Sequence, residues 1–421
     1  MTASIGDKAR PRRVLIIVEN LPVPFDRRVW SEATTLRDNG YQVSVICPTG
    51  KGYDAKFEII DDIYVYRHDL PLEARGALGY VAEYGAAFFH QMRLALKVWR
   101  TRGFDVIQGC NPPDTIWAVA LPFKLFGKRY IFDHHDICPE LFEAKFQKRG
   151  LLYRLMKVLE WCSFKCADVS IATNESYRKI AVERGGKSPE DVFIVRSGPR
   201  LDRFQPRPPK PKLKRGKTHL VGYVGVIGFQ EGLDLYIDAV EHLVRAKGRE
   251  DIHSIIIGSG PELEAVKAYA AEKGLTEHIE FTGRAPDDLL LDVLYTADVC
   301  VNPDRFNAMN DQSTMNKTME YMAAGRAMVQ FDLKESRYSA QSASLYAKPD
   351  DIVDFADKIE DLLDDPTKRA AMGAFGRKRV EDDLSWKESI APLLAAYERV
   401  FARLGRAPGD VAAVNPQTPA A

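Results

Sequence analysis

One segment of the chain, Asn310–Gly325, combines residue types that could hold a phosphorylated sugar. It reads NDQSTMNKTMEYMAAG, and an apolar strand is predicted directly after it over residues 327–331. Ser313 or Thr314 is suited to cap the amino end of a helix, and Gly325 is suited to end it. Because unpaired N–H groups and a partial positive charge at a helix start favour phosphate, the first turn of this helix is a candidate phosphate site.

Glu320 lies inside the predicted helix, four residues after Asn316 and on the same face. Its carboxylate could accept two hydrogen bonds from the diol of a ribose. An ordinary surface helix with one solvated glutamate explains these residues equally well. The other motifs of the chain must therefore decide between the two interpretations.

Two motifs in the first half of the chain follow predicted strands. Phe25–Glu32 reads FDRRVWSE, in which Arg27 and Arg28 could grip a phosphate or carboxylate or could instead pair with acidic neighbours at a helix start. Phe132–Glu140 reads FDHHDICPE, and a histidine there could bind a sugar hydroxyl or relay a proton. Side chains alternate along a strand, so only one of the two adjacent histidines should face the ligand, and the other should be structural.

The cysteines and histidines give little support for a metal centre. Cys138 lies close to His134, His135 and Asp136, but zinc needs about four ligands converging on one point. The six cysteines show no paired framework, which is typical of free thiols in a reducing compartment. The sequence therefore predicts no metal.

Three turns in the second half of the chain are candidates for close approach to a ligand: Gly222–Gly228, Gly258–Glu262 and Thr282–Arg284. The first has the spacing GxxGxxG, which differs from the GxGxxG of dinucleotide-binding proteins. Each could be no more than a tight turn. Three in one domain, together with the Glu320 helix, favour a binding site at the carboxyl ends of parallel strands.

These motifs lie within alternating apolar strands and amphipathic helices, which is the pattern of parallel sheets covered on both faces. Ser197–Lys217 interrupts the alternation with five prolines and at least seven basic residues, and it predicts a linker. We predict an α/β protein with two Rossmann-like doubly wound domains over residues 1–205 and 218–384, joined by a linker at 206–217. A helix at 385–404 is predicted to pack back on the first domain, and 405–421 to form a disordered tail. The predicted strands are 14–18, 43–47, 106–108, 130–133, 169–172, 192–195, 220–224, 254–257, 279–281, 299–301 and 328–331, and the predicted helices include 28–39, 112–126 and 175–183.

The composition, with 45% hydrophobic and 28% charged residues over 421 positions, fits a soluble protein with a full core. No apolar run approaches the roughly 20 residues of a membrane helix, and the run at 14–18 is too short for a signal peptide. These features favour a cytoplasmic location. No basic run interleaved with aromatic residues and no nucleic-acid-binding motif is present, so nucleic acid is not an expected partner.

The net charge is zero but unevenly distributed, with 34 Lys and Arg against 25 Asp and Glu through Lys212. This asymmetry predicts an anionic partner for the first half of the chain. Phe88–Arg100 and Lys148–Lys157 both mix bulky apolar and basic residues at helical spacing. They could be membrane-surface helices at the inner face of the plasma membrane, but core-facing helices with a solvated basic side are favoured.

Matches at five places, in the same order, make the chain similar to family 4 retaining glycosyltransferases of the GT-B fold. It is closest in pattern to WbuB-like bacterial enzymes that build surface polysaccharides. The resemblance runs from about Arg13 to about Leu404. It implies two domains facing across a cleft, a nucleotide-diphosphate sugar as donor, a glycan or polyprenyl-linked glycan as acceptor, and no cofactor. The matching segments are Phe25–Trp30, Asp133–Glu140, Gln230–Gly232, Gly258–Pro261 and Asn310–Gly325.

The resemblance also implies roles for single residues. The donor diphosphate would lie at the helix start of Ser313 and Thr314, Glu320 would bind the donor ribose, and His135 would contact the transferred sugar. The residues expected to take part are His135, Glu320 and Lys317 in catalysis, Gly228, Gly258, Gly260, Thr282, Arg284, Gln312, Ser313, Thr314 and Asn316 in donor binding, and Arg27, Arg28 and Asp136 on the acceptor side.

Several positions depart from the family pattern. Gln312 stands where members often have a glutamate eight residues before Glu320, and Val226 and Glu231 stand where many have an arginine and a lysine. Lys317, in the first helical turn, is predicted to neutralise the diphosphate instead, so that no divalent ion is needed. The alternatives to Lys317 are Arg284, Arg305 and Arg326, and Asn20–Pro24 replaces the glycine-rich loop expected after the first strand.

Two other classes of protein remain as alternatives. The first is a non-catalytic sugar- or lipid-binding protein of the same fold, which Gln312 and the missing basic pair make plausible. The second is a nicotinamide-dependent oxidoreductase that uses the Gly222–Gly228 loop, against which the glycine spacing argues.

Overall fold

The computed structural model describes residues 11–69 and 76–405, with the backbone alone over 76–84. The chain separates into two compact units. The first unit contains the described residues up to Pro139, residues 148–195 and those from Ile390 onward, and the second contains residues 140–147 and 196–389.

The first unit is built on an eight-stranded sheet whose central strands are apolar and buried. Continuous apolar strands form where helices cover both faces of a parallel sheet. The strands are β1 (Arg13–Val18), β2 (Gln42–Pro48), β3 (Phe57–Ile60), β4 (Ile63–His68), β5 (Val106–Cys110), β6 (Arg129–His134), β7 (Val169–Ala172) and β8 (Val192–Ile194). The helices along residues 27–183 are α1 (Arg27–Asp38), α2 (Gly76–Thr101), α3 (Ile116–Lys124), α4 (Cys138–Phe146), α5 (Leu151–Cys166) and α6 (Glu175–Glu183), of which α4 falls mostly in the second unit.

The second unit repeats this design on a six-stranded sheet. Its strands are β9 (His219–Val224), β10 (Ile252–Ile257), β11 (Ile279–Gly283), β12 (Val299–Asn302), β13 (Met328–Phe331) and β14 (Ser344–Ala347). Its helices are α7 (Leu233–Glu241), α8 (Leu263–Glu272), α9 (Asp287–Thr296), α10 (Ala308–Gln312), α11 (Asn316–Ala323), α12 (Lys334–Ala340), α13 (Ile352–Asp364) and α14 (Pro366–Arg379). The last helix of the chain, α15 (Trp386–Ala402), belongs to the first unit from Ile390 onward.

Both sheets are doubly wound, as the sequence predicts. Their strand orders are β3-β4-β2-β1-β5-β6-β7-β8 and β11-β10-β9-β12-β13-β14, and every pair is parallel except β3 with β4. The winding direction reverses beside β1 in the first sheet and beside β9 in the second. Ligands of such sheets bind at the carboxyl ends of the strands at this reversal point. The loops after β1 and β5, and those after β9 and β12, are therefore the places to look for chemistry.

The predicted strands are all present, but the sequence prediction missed three others, β3, β4 and β14. Strand β3 alternates exposed and half-buried residues at the sheet edge, so it has no continuous apolar run. Helix α3 begins at Ile116 rather than at Pro112. The consecutive prolines explain the delay, because a residue that precedes proline is disfavoured in the helical conformation.

The Pro-rich segment predicted as a linker over 206–217 is attached to the second unit instead. Lys210 donates its backbone N–H to Thr296 Oγ1 at 2.8 Å, and Lys214 Nζ lies 2.7 Å from Asp298 Oδ2. Residues 211–214 form a short 3-10 turn. The basic charge of this segment is thus partly used in pairing with acidic residues of its own unit.

The carboxy-terminal helix α15 packs on the sheet of the first unit. The Tyr397 hydroxyl donates to the Gln108 amide oxygen, and Glu398 pairs with Arg12. The ring of Phe401 lies 5.7 Å from that of Tyr41. Apart from Gly405, the predicted disordered tail lies outside the described residues. Within the described part of the chain, no helix has the length and apolar character to span a bilayer, and the six cysteines are free thiols.

Candidate active site

Arg28 organises the site at the carboxyl edge of the first sheet. From the start of α1 it donates from Nη2 to Asp133 Oδ1 at 2.9 Å and from Nη1 to the Val195 carbonyl at 2.8 Å. The same guanidinium lies 3.2 Å from Glu32 Oε1. Its side chain is 9% exposed. Arg28 therefore ties α1 to the end of β6 and does not present a free guanidinium to an acceptor, in contrast to the expectation, whereas Arg27 is exposed.

His135 directly follows β6 and keeps a partly accessible ring, 14% exposed. Its Nε2 atom lies 2.6 Å from Asp133 Oδ2 and 2.8 Å from Arg28 Nε, and its backbone N–H donates to Asn111 Oδ1 at 2.6 Å. Both contacts involve the same ring nitrogen, so Nε2 is already engaged by protein groups. Nδ1 is then the ring nitrogen left to contact a ligand.

The pKa values of two buried carboxyl groups beside His135 are shifted in opposite directions. Burial raises the pKa of Asp133, but the charge of Arg28 and the hydrogen bonds from His135 and Arg28 outweigh burial and hold that pKa well below its usual range. Burial, reinforced by the negative charge of Asp133, raises the pKa of Glu32 well above its usual range. Gln108 Nε2 donates to both, at 2.6 Å to Glu32 and 2.9 Å to Asp133. The two pKa values are thus shifted apart, towards a protonated Glu32 and an ionised Asp133 that orients His135.

The adjacent His134 has a structural role, as strand alternation predicts for one histidine of the pair. It is fully buried among the rings of Phe132, Phe164 and Tyr177, 5.1–5.3 Å from each centroid. Asp136 uses its backbone N–H and carbonyl to contact the Asn111 side chain. This amide therefore fixes the loop that carries His135.

Four side chains near Arg28 could in principle hold a metal ion, because their ligand atoms lie within 4.8 Å of one another: Glu32, Cys110, Asp133 and His135. The Arg28 guanidinium, however, already places a fixed positive charge between the two carboxyl groups. Burial also raises the pKa of Cys110 well above its usual range, which keeps the thiol protonated. The donor set fits an internal guanidinium better than a metal ion. Cys138, the other candidate ligand, is buried with its Sγ 3.4 Å from the Asn111 amide.

In the second unit, the glycine-containing loops after β9 and β10 pack on each other. A Cβ on Gly258 would lie 1.8 Å from the Gly225 carbonyl oxygen, and one on Gly260 would lie 2.2 Å from the Ile227 carbonyl oxygen. Ile227 donates its N–H to the Ser259 carbonyl at 3.1 Å. Gly258 and Gly260 are thus needed for loop-to-loop contact, a structural reason that the sequence interpretation as ligand contacts did not include.

Lys317 lies at the reversal point of the second sheet and is already paired. Its Nζ atom is 2.6 Å from Asp304 Oδ1 and 5.0 Å from the centre of the Tyr223 ring. Burial raises the pKa of Asp304 in spite of the Lys317 charge. Glu231, which accepts the Gly228 N–H at 3.1 Å, also has a pKa raised by burial. The predicted free cation for a diphosphate is therefore a lysine whose charge is largely balanced by Asp304.

The predicted cap of the Glu320 helix is wrong. Helix α11 begins at Asn316 with Met315 at the cap position and no side-chain cap. Ser313 instead ends α10 and donates its hydroxyl to the Met309 carbonyl at 2.8 Å, because a separate short helix precedes α11. The amino end of α11 still lies at the carboxyl edge of the sheet, since the helix follows β12 and leads into the start of β13. Gly325 follows the helix with φ +66°, as predicted for its end.

Glu320 lies one turn inside α11 with 18% of its side chain exposed, so it is not lost in the apolar interior. Its Oε1 atom accepts from Arg203 Nη1 at 2.8 Å, and Arg203 Nε also reaches Asp287 Oδ2 at 3.0 Å. Asn316 is exposed on the same helix face. A partly exposed carboxylate held by an arginine is pre-oriented to accept hydrogen bonds from a diol.

The remaining predicted donor residues lie on neighbouring loops. Thr282 closes β11 with its hydroxyl donated to the Gly283 carbonyl at 2.9 Å, and Arg284 is exposed after it. Gln312 donates to the Ala308 carbonyl at 2.7 Å within α10. Gly228 is buried at the end of the β9 loop.

Sequence reasoning anticipated Glu32 as an acidic partner of the arginine pair, but it missed the other residues that support the predicted ones: Gln108, Asn111, Arg203 and Asp304. One signal was available, because a glutamine in the middle of the apolar strand VIQGC must find a buried partner. Arg203 carried no signal, since it is one basic residue among many in its segment.

Comparison with known proteins gives two family matches. The model described as "Glycosyltransferase Family 4" matches residues 26–203, and that described as "Glycosyl transferases group 1" matches residues 218–365. Among curated proteins, a 2-deoxystreptamine glucosyltransferase from Streptomyces kanamyceticus is 26% identical over 325 residues, covering 73% of this chain and 81% of the relative. Other curated relatives are matched over about half of their own length.

Solved structures share the fold at low identity. The sucrose-phosphate synthase (tll1590) from Thermosynechococcus elongatus superposes with a TM-score of 0.74 at 16% identity, covering 93% of this chain and all of that one. Anabaena Alr3699/HepE, solved in complex with UDP and glucose, gives a TM-score of 0.67 at 13% identity and covers 94% of this chain and 99% of that one.

Proposed function

We propose, from the premise that the chain belongs to the family 4 glycosyltransferases of the GT-B fold, that it moves a sugar from a nucleotide-diphosphate donor to a carbohydrate or lipid-linked carbohydrate acceptor. We further propose retention at the anomeric carbon, independence from a divalent ion, and a role in bacterial surface polysaccharide synthesis inside the cell. The observation that carries the proposal is helix α11. Its amino end and the partly exposed Glu320 lie at the edge where the second sheet reverses its winding.

Donor binding would use the second unit. The diphosphate would accept N–H groups at the start of α11, where the helix dipole adds partial positive charge. The ribose diol would donate to Glu320, which Arg203 holds in place. A structural neighbour that holds UDP and glucose supports a donor of this class.

Catalysis would rest on positioning and on charge. Loss of the nucleoside diphosphate breaks the bond between the anomeric carbon and the phosphate oxygen and leaves an oxocarbenium-like sugar. N–H dipoles at α11 and the Lys317 ammonium would stabilise the departing diphosphate. His135, oriented by the ionised Asp133, would present Nδ1 to a hydroxyl of the transferred sugar.

Titration with nucleotide sugars tests the donor site. UDP-glucose and GDP-mannose should be compared by calorimetry with the wild-type chain and with Glu320→Ala. Loss of a charged acceptor should weaken binding of the preferred donor by roughly tenfold or more. Glu264→Ala, on the exposed face of α8, is the matched control and should bind as the wild type does. Unchanged affinity in Glu320→Ala would reject this assignment of the ribose contact.

Three activity measurements address the finer claims. Slow hydrolysis of the preferred donor without acceptor would exclude the non-catalytic alternative, and its complete absence with every donor that binds would favour it. Hydrolysis or transfer that persists in EDTA supports metal independence, and its abolition there would refute it. The anomeric configuration of the product, read by NMR, decides between retention and inversion.

A further inference from the structure

Helix α5 carries an apolar stripe on its outward face. Leu151, Leu155, Val158 and Trp161 are exposed, with Leu151 at 82%, while Glu160, Ser163 and Phe164 on the other side are buried. A surface helix of a globular protein normally has the reverse arrangement. The expectation of a core-facing apolar side is therefore wrong for α5. It holds for α2, whose Leu94, Ala95 and Val98 are buried.

The neighbouring helices extend this apolar surface. Helix α3 packs against both α2 and α5, and the chain at its end exposes Leu125 (83%) and Phe126 (64%). Helix α2 exposes Phe89. We define these side chains as the α2–α3–α5 surface: Phe89, Leu125, Phe126, Leu151, Leu155 and Trp161. Several large exposed apolar side chains on helices that pack together, unlike scattered single ones, mark an interaction site.

Within residues 85–101, 116–128 and 148–166, the exposed charged side chains are all basic. They flank the apolar side chains on α2, on α5 and on the chain just before α5. The one acidic residue of these ranges, Glu160, is buried. Apolar side chains framed by positive charge complement an anionic lipid interface. The exposed basic residues are Arg93, Lys97, Arg100, Lys148, Arg149, Arg154, Lys157 and Lys165.

A cavity of about 260 Å³ lies beside the α3 end of this surface. Trp99 lines it and also packs on Phe126, with ring centres 5.2 Å apart. The cavity is lined by the basic residues Arg13, Arg100, Arg102 and Lys128, against one acid, Asp105. Asp105 accepts the Arg13 backbone N–H at 3.2 Å and lies 3.8 Å from Lys128 Nζ, so it balances one of these positive charges. The cavity is thus a cationic recess next to exposed aromatic and leucine side chains, which suits a phospholipid headgroup phosphate.

We propose that the α2–α3–α5 surface docks the first unit on an anionic phospholipid bilayer. Leu125, Phe126, Leu151 and Leu155 enter the acyl boundary, and the basic residues contact headgroup phosphates. Part of the basic excess in the first half of the sequence lies on this surface. Docking is separate from the transfer reaction and can be measured without a sugar donor. A negative result for docking therefore does not affect the proposed transfer activity, and the reverse also holds.

Vesicle sedimentation tests this docking. The full chain should sediment with phosphatidylglycerol vesicles and stay in solution with phosphatidylcholine vesicles. Binding should fall steeply between about 0.1 M and 1 M salt, because the screening length drops from about 10 Å to about 3 Å. Leu125→Glu and Leu155→Glu should each weaken vesicle binding by roughly tenfold. Lys157→Glu should also weaken it and should lessen its salt dependence.

Matched controls separate docking from misfolding. Val353→Glu replaces an exposed valine of α13 and Lys387→Glu an exposed lysine of α15, and both should sediment as the wild type does. Equal melting temperatures across the set show that the variants fold. Docking is overturned if the wild type ignores anionic vesicles, or if Leu125→Glu and Leu155→Glu bind as tightly as the controls. It is also overturned if analytical ultracentrifugation shows that the surface joins two copies of the chain and vesicles do not compete.

Discussion

The raised pKa of Glu32, which lies beside Asp133 and His135, predicts how stability depends on pH. Glu32 is fully buried, and burial with the nearby Asp133 charge raises its pKa well above the usual range. A raised pKa means that the folded state binds this proton more tightly than the unfolded chain does, so stability falls as pH rises above about 4.3. Glu32→Gln keeps the shape without an ionisable group, so it removes that pH-dependent loss. We expect this variant to be more stable than the wild type at pH 7 and no more stable near pH 4.

The size of the effect follows from proton linkage. A group whose pKa is raised by folding gives stability that is fully present below its unfolded pKa, about 4.3 for glutamate, and lost as pH rises towards the folded pKa. The loss is about 1.4 kcal/mol per pH unit, which sets an upper limit of about 3.7 kcal/mol at pH 7. The contribution of Asp133 to stability depends on pH in the opposite direction. Its pKa is lowered by folding, so its stabilisation is present above about pH 3.9 and is lost as pH falls.

Urea denaturation followed by circular dichroism at pH 4.5, 5.5 and 7 measures the difference. The free energy of unfolding of Glu32→Gln, relative to wild type, should rise with pH with a slope approaching 1.4 kcal/mol per unit. Glu183→Gln, an exposed substitution on α6, should show no such slope. A Glu32→Gln variant that is equally destabilised at all three pH values would show that Glu32 is ionised in the folded protein and would refute the raised pKa.

Three further predictions concern the site. Asp133→Asn removes the carboxylate 2.6 Å from His135 Nε2 and should lower kcat by roughly 100-fold or more with little change in KM; an unchanged kcat would mean that the histidine needs no orienting acid. Asp304→Asn should raise UDP affinity, because it leaves the Lys317 charge uncompensated, and Lys317→Ala should lower it, because it removes that charge. A loss of affinity in both variants would show that the pair has only a structural role. Gly260→Ala should lower the free energy of unfolding by about 2 kcal/mol or more, since its Cβ would lie 2.2 Å from a carbonyl oxygen. The control Gly85→Ala in α2 meets no atom within 4 Å and should raise that free energy by up to about 1 kcal/mol. Equal effects of the two substitutions would contradict the loop-packing explanation.

Much of the fold follows from local pattern in the sequence. Runs such as VLIIV and III are apolar and rich in β-branched residues, which is typical of buried strands. Their alternation with helices predicts two parallel sheets. The edge strands β3 and β14, and β4 beside β3, were not predicted because short strands and strands that contain polar residues lack that continuous signal. The glycine turns and the end of the Glu320 helix at Gly325 were located correctly, because Gly acts within a few residues, whereas the predicted cap of that helix was wrong.

The sequence by itself determined the class of fold, eleven of the strands in their order along the chain, and the loops proposed to carry the chemistry. Only the tertiary structure decided which charges meet: Arg28 with Asp133, Lys317 with Asp304, and Arg203 with Glu320, partners that are 105, 13 and 117 residues apart. Ionisation depends on burial and on the distance to other charges, and both are properties of the folded chain. The same residues that a motif marks as free ligands can therefore become each other's counter-ions, and a helix predicted to face the core can instead expose its leucines.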